Sequence, residues 1–409
     1  MTSPRVVVTG LGVVSSIGIG AAAFGRGLRN GASGITKLRG ANTLGFPFDI
    51  GGEVHDFDPR PWIRRLEPEA VGRTSQLAIA AARMASEDSG IDPGELSRSG
   101  CGVSVGTTDG ESFATDELLR DWVAKGPHAL DGRALRRIPA DRLSASVARE
   151  LDLHGEAMTI STACAAGNYA IGNAFDAIRA GEAEVMLCGG AESMARKSLA
   201  AFYRLGAIAP VACQPFDANR RGIVIGEGAG MLLLESLERA QARKARIHAE
   251  VLGYGLSCDA EHPVAPNAES IATCMRRAHV HAGVLPCDVD YVCAHGTGTL
   301  VNDAVEARAI REVFGERVPP TSSIKSMIGH TMGAASALAS VACALALREG
   351  FMPPTINSRT PDPECGLDSV PNEARAADLE VVQNNAFAFG GNNAIVIFKR
   401  YDGGTAAAA

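Results

Sequence analysis

The sequence predicts an α/β protein in which mixed β-sheets are covered by helices. Short β-branched runs alternate with Ala-rich stretches of helical length, and this alternation is even along the chain. Strand candidates occupy residues 5–9, 102–106, 157–162, 185–188, 230–234, 249–254, 289–294 and 394–398. Helix candidates occupy residues 75–89, 165–180, 270–282, 303–314 and 332–349, and the last of them precedes Gly350, a residue typical of helix C-caps.

Two halves of similar plan are expected along the chain. On length alone, 409 residues favour two or three domains. A Ser/Thr-rich strand leads into a helix of small residues twice, first around residues 158–167 and again around residues 321–336. The charged stretch 238–246 lies between the two patterns. We therefore predict an N-terminal half at 1–243 and a C-terminal half at 244–409.

Composition narrows the class of protein. Hydrophobic residues make up 46% of the chain and charged residues 21%, which is typical of a globular protein with a large core. The formal net charge of −7 argues against a nucleic-acid binder that relies on a basic surface. The sequence shows no signal-peptide pattern, no apolar run of membrane-spanning length and no CxxC spacing among its ten cysteines. We expect a cytoplasmic protein with reduced thiols and no membrane contact.

Cys164 is the first candidate for chemistry. It follows a predicted strand and opens a helix of small residues, Cys164-Ala-Ala-Gly-Asn-Tyr-Ala. The positive end of a helix macrodipole and its free N–H groups stabilise a thiolate at such a position. A sharp strand-to-helix turn also lifts the side chain away from the backbone, as in a nucleophile elbow. A small buried thiol at a crowded turn is the alternative that position alone leaves open.

Two histidines occupy similar turns in the second half. His295 ends an apolar run and is followed by Gly-Thr-Gly-Thr, and His330 lies within the turn Gly-His-Thr-Met-Gly. A histidine at the end of a buried strand, among Gly and Thr, leaves space for a substrate. Either histidine alone could be structural. Three turns that each present a Cys or a His favour one common site.

Lys325, Glu306 and Phe389 are candidates for supporting roles. Lys325 precedes His330 by five positions and could pair with Glu306, which lies on the helix after His295. Phe389 stands beside two glycines, whose conformational freedom lets a loop present an N–H group to an oxyanion. A solvated lysine, an exposed carboxylate and a plain turn are the corresponding alternatives.

Basic residues gather at a few places on an otherwise acidic chain. Arg64, Arg65, Lys197 and Arg204 are among them. Scattered surface charge is the usual explanation, although a basic patch can also dock an acidic partner. No cluster of Cys and His residues has the spacing that completes a metal site.

Taken together, these turns resemble those of the β-ketoacyl-acyl carrier protein synthases, in the KAS I/II group of elongating condensing enzymes. The resemblance covers essentially the whole chain. It is carried by residues 6–12 (Val-Val-Val-Thr-Gly-Leu-Gly), 162–167 (Thr-Ala-Cys-Ala-Ala-Gly), 295–299 (His-Gly-Thr-Gly-Thr), 325–330 (Lys-Ser-Met-Ile-Gly-His) and 389–394 (Phe-Gly-Gly-Asn-Asn-Ala). It implies a thiolase-like fold, in which two similar α-β-α-β-α halves pack as a layered sandwich.

The resemblance also implies a role for each catalytic candidate. Cys164 would accept an acyl group, with the oxyanion held by its own backbone N–H group and that of Phe389. His295 and His330 would donate hydrogen bonds to the thioester carbonyl of a malonyl extender as it loses carbon dioxide. Lys325 and Glu306 would support the histidines, and Phe389 would act as a gate.

Substrates and partners follow from the same resemblance. Thr297, Thr299 and Asn392 would bind substrate, and the basic residues at 64, 65, 197 and 204 would dock the acyl carrier protein. No metal and no cofactor are expected, because the substrates are carried on the phosphopantetheine arm of the carrier. A homodimer is usual in the family, and a heterodimer with a chain-length-factor subunit is also open.

Two departures from the family pattern point towards polyketide or polyene synthesis rather than fatty acid synthesis. Residues 388–393 are Ala-Phe-Gly-Gly-Asn-Asn where the family has Gly-Phe-Gly-Gly-Thr-Asn, and Ala165 replaces a polar residue after Cys164. Both lie beside the expected acyl pocket.

Two alternatives to a carrier-dependent ketosynthase stay open. They are a thiolase-fold enzyme that acts on coenzyme A thioesters and a non-catalytic partner subunit that shapes a dimer tunnel.

Overall fold

The computed structural model describes residues 3–39, 43 and 45–403. Its strands are β1 (Val6–Ser15), β2 (Gly18–Ile19), β3 (Thr36–Lys37), β4 (Ile50–Gly51), β5 (Gly102–Gly106), β6 (Ala157–Ile160), β7 (Val185–Glu192), β8 (Gly228–Ser236), β9 (Ala249–Cys258), β10 (Tyr291–Cys293), β11 (Thr321–Ser322), β12 (Phe351–Met352), β13 (Arg375–Ala376), β14 (Val381–Phe387) and β15 (Asn392–Lys399). Its α-helices are α1 (Ala21–Arg29), α2 (Arg73–Ser89), α3 (Pro93–Arg98), α4 (Ser112–Lys125), α5 (Gly132–Leu135), α6 (Arg142–Leu151), α7 (Ala166–Arg179), α8 (Arg196–Arg204), α9 (Leu237–Ala242), α10 (Ala268–Ala282), α11 (Leu300–Phe314), α12 (Lys325–Ile328) and α13 (Ala335–Glu349).

One large sheet contains all the longer strands, and its two halves repeat one strand order. The order is β11-β10-β14-β15-β9-β1-β8-β7-β5-β6, with β2 as a short addition to β1. The first half contributes β6-β5-β7-β8-β1 and the second contributes β11-β10-β14-β15-β9, with the same sequence of parallel and antiparallel pairings. β1 joins β9 in antiparallel register, for example Val6 with Val251. The α/β prediction is confirmed.

Helices cover the outer faces of the sheet and also separate its halves. α7 and α13 contact each other and strands of both halves, so they form the central layer. α2 and α6 pack on the first half, and α10, backed by α11, packs on the second. The segment Met332–Glu349 is long and apolar enough to cross a membrane, but 89% of it is buried inside the protein. The segment is apolar because it is a core helix that packs between the two halves of the sheet.

A buried polar cluster joins the two central helices to β14. Asn168 of α7 donates from Nδ2 to the backbone oxygens of Asn384 at 3.3 Å and Ala394 at 3.1 Å. Asn384 donates from Nδ2 to Asn168 Oδ1 at 3.0 Å and to the backbone oxygen of Ser336 at 2.8 Å. Buried amides destabilise a fold unless they are paired. These bonds therefore favour one register between the helices and the strand.

The eight strand candidates and five helix candidates coincide with observed elements, apart from their ends. The sequence does not predict β14, whose Val-Val-Gln-Asn-Asn-Ala-Phe sequence is buried throughout. Its central polar residues pair with distant parts of the chain, so no local period signals the strand. The division between residues 243 and 244 remains a proposal.

Gly167 shows how closely the central helices approach. A Cβ at Gly167 would lie 2.7 Å from Ala337 N and 2.7 Å from Ser336 Oγ. We expect Gly167→Ala to destabilise the protein by about 1–3 kcal/mol, the usual cost of overpacking, measured as a lower urea midpoint. The matched control is Gly132→Ala, because the Cβ position at Gly132 is open. Equal midpoints for both variants would contradict close helix packing.

Candidate active site

Cys164 lies in a sharp turn between β6 and α7. The 3₁₀ turn Ala163–Ala165 connects the two elements, and α7 begins immediately after it. Ala163 has a φ of 48°, in the left-handed region that residues other than Gly seldom adopt. Such strain is held in place by the surrounding structure and is common at functional sites. The predicted elbow is therefore present, with Cys164 only 5% exposed.

A second turn of the same form lies in the other half of the protein. Met332 has a φ of 48°, the 3₁₀ turn Met332–Ala334 follows, and α13 begins at once. Gly333 takes the place in this turn that Cys164 takes in the first. The two turns pack against each other. One half thus contributes the thiol, and the other brings His330, two residues before Met332, to the same place.

His330 is held as one particular tautomer. Its Nδ1 accepts a hydrogen bond from the backbone N–H of Met332 at 3.1 Å. Burial, and then the charge of Lys325, lowers the pKa of His330 well below its ordinary value. A neutral imidazole whose Nδ1 accepts must carry its proton on Nε2. His330 is therefore a neutral hydrogen-bond donor.

His295 is oriented by Lys325. Lys325 Nζ donates to the backbone oxygen of His295 at 2.5 Å and lies 3.5 Å from its Nδ1. Burial lowers the pKa of His295 well below its ordinary value, and the charges of Lys325 and His330 lower it further. The imidazole is neutral, and the Lys325 contact favours a proton on Nε2. The two imidazole rings lie 5.4 Å apart at an angle of 81°.

Glu306 holds the turn of His295 through the backbone. Its carboxylate accepts from His295 N at 2.8 Å, Gly296 N at 2.7 Å and Asn385 Nδ2 at 3.1 Å. Burial raises the pKa of Glu306 to about 7. The suggested ion pair between Lys325 and Glu306 does not form in the described part of the chain. Their contacts are separate, because Lys325 binds the carbonyl and Glu306 binds the N–H groups.

Two residues that hold the site are missed by the sequence analysis. One is Asn385, which lies on the unpredicted strand β14 and had no local signal. The other is Asp303, whose carboxylate accepts from Thr297 N at 3.0 Å and from Gly298 N at 3.1 and 3.2 Å. An acidic residue in the first turn of a helix, just after a Gly-Thr-Gly-Thr turn, is the signal that could have found Asp303.

One cavity of about 340 Å³ brings the catalytic candidates together. The predicted residues that line it are Cys164, His295, Thr297, Thr299, His330 and Phe389. Apolar side chains make up much of the remaining wall, including Phe202, Leu205, Ile223, Val264, Leu300 and Val301. Among the described residues Asn393 lines the cavity and Asn392 does not. The substrate-binding role of Asn392 therefore stays a prediction without support from the cavity.

The thiol of Cys164 is protonated in this environment. Burial raises its pKa to about 12, although the charge of Lys325 acts in the opposite direction. The thiolate that the helix N-terminus alone would favour is therefore not the resting form. The thiol proton has to leave as the sulfur attacks, and the thiolate of the departing carrier is the group that can accept it.

Phe389 lies at the wall of the cavity beside a strained loop. Its ring stacks on Phe202 with 5.5 Å between centroids, and the residue is 39% exposed. Gly390 and Gly391 have φ values of 82° and 79°, which only glycine adopts easily. Gly390 N donates to the backbone oxygen of Pro263 at 2.8 Å, which holds the loop against a neighbouring segment. The gating role of Phe389 stays a prediction.

The four predicted docking residues differ in their surroundings. Arg204 ends α8 beside Leu205, which lines the cavity. Lys197 pairs with Asp109 at 2.9 Å. Arg64 lies 3.4 Å from Glu87, and Arg65 lies 2.7 Å from Asp152 beside a separate cavity. Of the four, Arg204 is next in sequence to a residue that lines the catalytic cavity.

Comparison with known proteins places these features in a family. Models of the N-terminal and C-terminal domains of β-ketoacyl synthase match residues 3–240 and 248–359. Nodulation protein E of Rhizobium meliloti is 39% identical over 399 residues, which cover 97% of this chain and 99% of that protein. 3-Oxoacyl-[acyl-carrier-protein] synthase 2 of Staphylococcus aureus is 37% identical over 408 residues, with coverage of 97% and 99%.

Solved structures agree with this placement. The structure titled the ishigamide ketosynthase/chain length factor is 52% identical with a TM-score of 0.96, and the match covers 98% of this chain and 100% of that one. A type II PKS ketosynthase, solved in complex with its acyl-carrier protein and bound to the hexaketide, is 34% identical with a TM-score of 0.89, at coverage of 98% and 100%.

The fold and the site define a condensing acyltransferase of the thiolase-like fold. The chain belongs to the β-ketoacyl synthase family, and it is a ketosynthase of the 3-oxoacyl-acyl carrier protein synthase type. The predicted fold class and the predicted class of enzyme are therefore confirmed. The roles of the individual site residues stay proposals.

The tautomers of the two histidines can be measured directly. We expect ¹⁵N NMR of the imidazoles of His295 and His330 at pH 6.5 to show neutral rings with the proton on Nε2. The physical reasons are burial and the acceptor role of each Nδ1. His154 is exposed and lies outside the cavity, so it serves as the internal control. An imidazolium signal from either catalytic histidine at this pH would contradict the neutral-donor assignment.

Proposed function

We propose that this ketosynthase condenses an acyl group with malonyl-acyl carrier protein by a decarboxylative Claisen reaction in a type II polyketide or polyene pathway. The observation that carries the proposal is the single cavity shared by Cys164, His295 and His330. A thiol and two neutral donors in an apolar, enclosed space are what acyl transfer and enolate formation require. The chain is proposed to act in the cytoplasm.

The first half-reaction loads the enzyme. The Cys164 thiol attacks the carbonyl carbon of an acyl-carrier thioester and forms a new C–S bond. The C–S bond to the carrier then breaks, and the departing carrier thiolate takes up the proton that the Cys164 thiol loses. The backbone N–H groups of Cys164 and Phe389 are proposed to hold the oxyanion. The product is an acyl group on Cys164 and a free carrier.

The second half-reaction extends the chain. The phosphopantetheine arm of malonyl-carrier lies along the turn of Thr297 and Thr299, whose hydroxyl oxygens are 3.0 Å apart at the cavity wall. Nε2–H groups of His295 and His330 donate to the thioester oxygen as carbon dioxide leaves and negative charge develops there. The enolate carbon attacks the acyl carbonyl, the C–S bond to Cys164 breaks, and a 3-oxoacyl-carrier leaves.

Neutral histidines suit this chemistry better than charged ones. Two imidazolium rings 5.4 Å apart would repel each other in a buried site. Neutral donors stabilise the developing enolate oxygen without protonating it, which preserves the carbanion for attack on the acyl group. No cofactor is needed beyond the carrier's own arm.

The polyketide or polyene assignment is supported by the relatives with solved structures. The titles of two of them name a ketosynthase/chain length factor and a type II PKS complex with an acyl-carrier protein. The 52% identity to the first exceeds the 37% identity to the Staphylococcus aureus synthase. We therefore propose an acyl carrier protein as the donor partner, with chain length unassigned.

A second subunit is also proposed. In the described chain β6 pairs on one side with β5 and lies at the end of the sheet. Apolar side chains on the surface of α4 are exposed as well, with Trp122 at 48% and Val123 at 85%. An open strand edge and an apolar face are features that a partner subunit covers. A homodimer and a heterodimer with a chain-length-factor-like subunit both fit these features.

The two alternatives are less well supported. A coenzyme A thiolase would need a second cysteine at the site, but Cys164 is the cysteine that lines the cavity in the described chain, and Cys365 packs with Phe216 and Ala294 instead. A non-catalytic partner subunit would not need the assembled Cys164, His295 and His330. Comparing malonyl-carrier with malonyl-coenzyme A as extender separates the first alternative from our proposal.

Replacing Cys164 tests the proposed nucleophile. We expect Cys164→Gln to form no acyl adduct by intact mass and no 3-oxoacyl-carrier, because the attacking sulfur is gone. Decarboxylation of malonyl-carrier should continue, because it depends on His295 and His330, and this retained activity shows that the variant is folded. Continued formation of 3-oxoacyl-carrier by Cys164→Gln would disprove the assignment.

Reversing the charge of Arg204 tests the docking surface. We expect Arg204→Glu to raise the KM for acyl-carrier several-fold with kcat changed little, because an acidic carrier would meet a like charge beside the cavity. Acylation by a small thioester of the same acyl group should be unaffected, since that substrate lacks the carrier. The double variant Arg64→Glu/Arg65→Glu shows in the same assay whether these two residues also affect the KM for acyl-carrier. An unchanged KM in Arg204→Glu removes Arg204 from the docking surface.

A further inference from the structure

Glu192 is a buried carboxylate that the proposed mechanism does not use. It is the last residue of β7 and is 2% exposed. Its oxygens accept four hydrogen bonds, from Thr107 Oγ1 at 3.1 Å, Thr108 N at 2.6 Å, Asp109 N at 3.2 Å and Gly333 N at 3.1 Å. All four partners are donors, and three of them are backbone N–H groups.

These donors come from both halves of the protein. Residues 107–109 follow β5 in the first half, and Ser161, just before the Cys164 turn, donates to the backbone oxygen of Thr108 at 3.3 Å. Gly333 belongs to the turn that follows His330 in the second half. One carboxylate therefore joins the surroundings of the nucleophile to the turn of a catalytic histidine.

The turn after His330 uses two successive N–H groups in two different ways. Met332 N donates to His330 Nδ1 and sets the tautomer of the ring. Gly333 N donates to Glu192 and anchors the same turn. If Gly333 N loses its acceptor, the turn that carries Met332 N loses its attachment to the first half. The orientation of the His330 ring would then be less well defined.

We propose that Glu192 is a positioning residue that holds His330 for the condensation step by anchoring the turn of Gly333 to the nucleophile half. The second histidine offers a direct parallel, because Glu306 accepts from His295 N and Gly296 N. Each histidine turn thus has its own buried carboxylate. The inference rests on the proposed function, because the condensation step must exist for His330 to serve it.

Two acceptor oxygens fit this position better than an amide does, because the NH₂ group of an amide can only donate. Four donors point at the two oxygens, so a side-chain NH₂ in place of one oxygen would face N–H groups. No ion pair offsets the charge of Glu192 in the residues that the structure describes, and nearby Asp109 is itself paired with Lys197. Burial raises the pKa of Glu192 to about 8. Burial of a carboxyl group is unfavourable unless the group is hydrogen-bonded, and the four donors meet this requirement for Glu192.

The proposal is tested by measuring the two half-reactions separately. Acylation of Cys164 is followed by intact mass, and pre-acylated enzyme is then mixed with malonyl-carrier to follow formation of 3-oxoacyl-carrier. We expect Glu192→Gln to slow condensation about tenfold or more, since an amide NH₂ would face N–H donors that now bind an oxygen, and to change acylation less than about threefold. His330→Ala should show the same imbalance.

Glu150→Gln is the matched control. Glu150 is also a buried carboxylate, although it differs from Glu192 in forming an ion pair with Arg83. It accepts from Arg64 N, Arg65 N and Leu66 N at 2.6 to 3.2 Å without touching either histidine turn. We expect both half-reactions of this variant to keep their wild-type ratio. The ¹⁵N signals of His330 should change in Glu192→Gln, and those of His295 should not.

Several outcomes would overturn the inference. Condensation at the wild-type rate in Glu192→Gln would do so, and so would equal loss of both half-reactions in a folded variant. If Glu192→Gln does not fold, Glu192→Asp keeps the charge with a shorter reach and should still slow condensation more than acylation; an unchanged ratio overturns the proposal. A wild-type protein that is never acylated would instead overturn the proposed function itself.

Discussion

The structure depends on the close approach of two strained turns, one from each half of the protein. Ala163 and Met332 share a φ of 48°, and the turns that they open pack against each other at the start of the central helices. Small residues make this approach possible. A Cβ at Gly333 would lie 2.4 Å from the backbone of Thr107, and one at Gly106 would lie 2.3 Å from the backbone of Ala166. Larger side chains would separate the thiol from the histidines, so the packing of the halves and the assembly of the site are one event.

The electrostatics of the site follow from this burial. Glu306, Asp303 and Glu192 face the turns of His295 and Gly333, and each accepts hydrogen bonds mainly from backbone N–H groups. Asp303 also lies 3.9 Å from the buried guanidinium of Arg220. Backbone N–H groups therefore provide much of the electrostatic stabilisation of these buried carboxyl groups. The same dry surroundings raise the pKa of Cys164 and lower the pKa of both histidines. The site therefore contains a neutral thiol and two neutral hydrogen-bond donors. These donors can stabilise the negative charge that develops on the substrate oxygen during the reaction.

The two halves share one strand order but contribute different groups to the site. Corresponding strands occupy corresponding places, and each central helix begins at an elbow. The first elbow presents the thiol of Cys164. The second has Gly333 in that place, and the absence of a side chain there leaves room for the loop of Thr107 and for the bond from Gly333 N to Glu192. The second half contributes His295 shortly after β10 and His330 shortly after α12. Cys164 is the proposed nucleophile, whereas Gly333, at the equivalent position, anchors the turn that follows His330. The same kind of turn therefore has a different role in each half.

The sequence by itself determined the α/β class, eight of the strands, five of the helices and the candidate residues Cys164, His295 and His330. Strand-to-helix turns and their glycines can be recognised in short segments of sequence. Local patterns also singled out Lys325, Glu306 and Phe389 as candidates, and the family resemblance implied a role for each. Only the tertiary structure decided which atoms meet. Glu306 binds backbone N–H groups instead of Lys325, Asn385 supports it from a strand that no local pattern reveals, and Glu192 joins the halves. Those contacts link residues far apart in the chain, and the burial that makes them strong exists only after the two halves have packed.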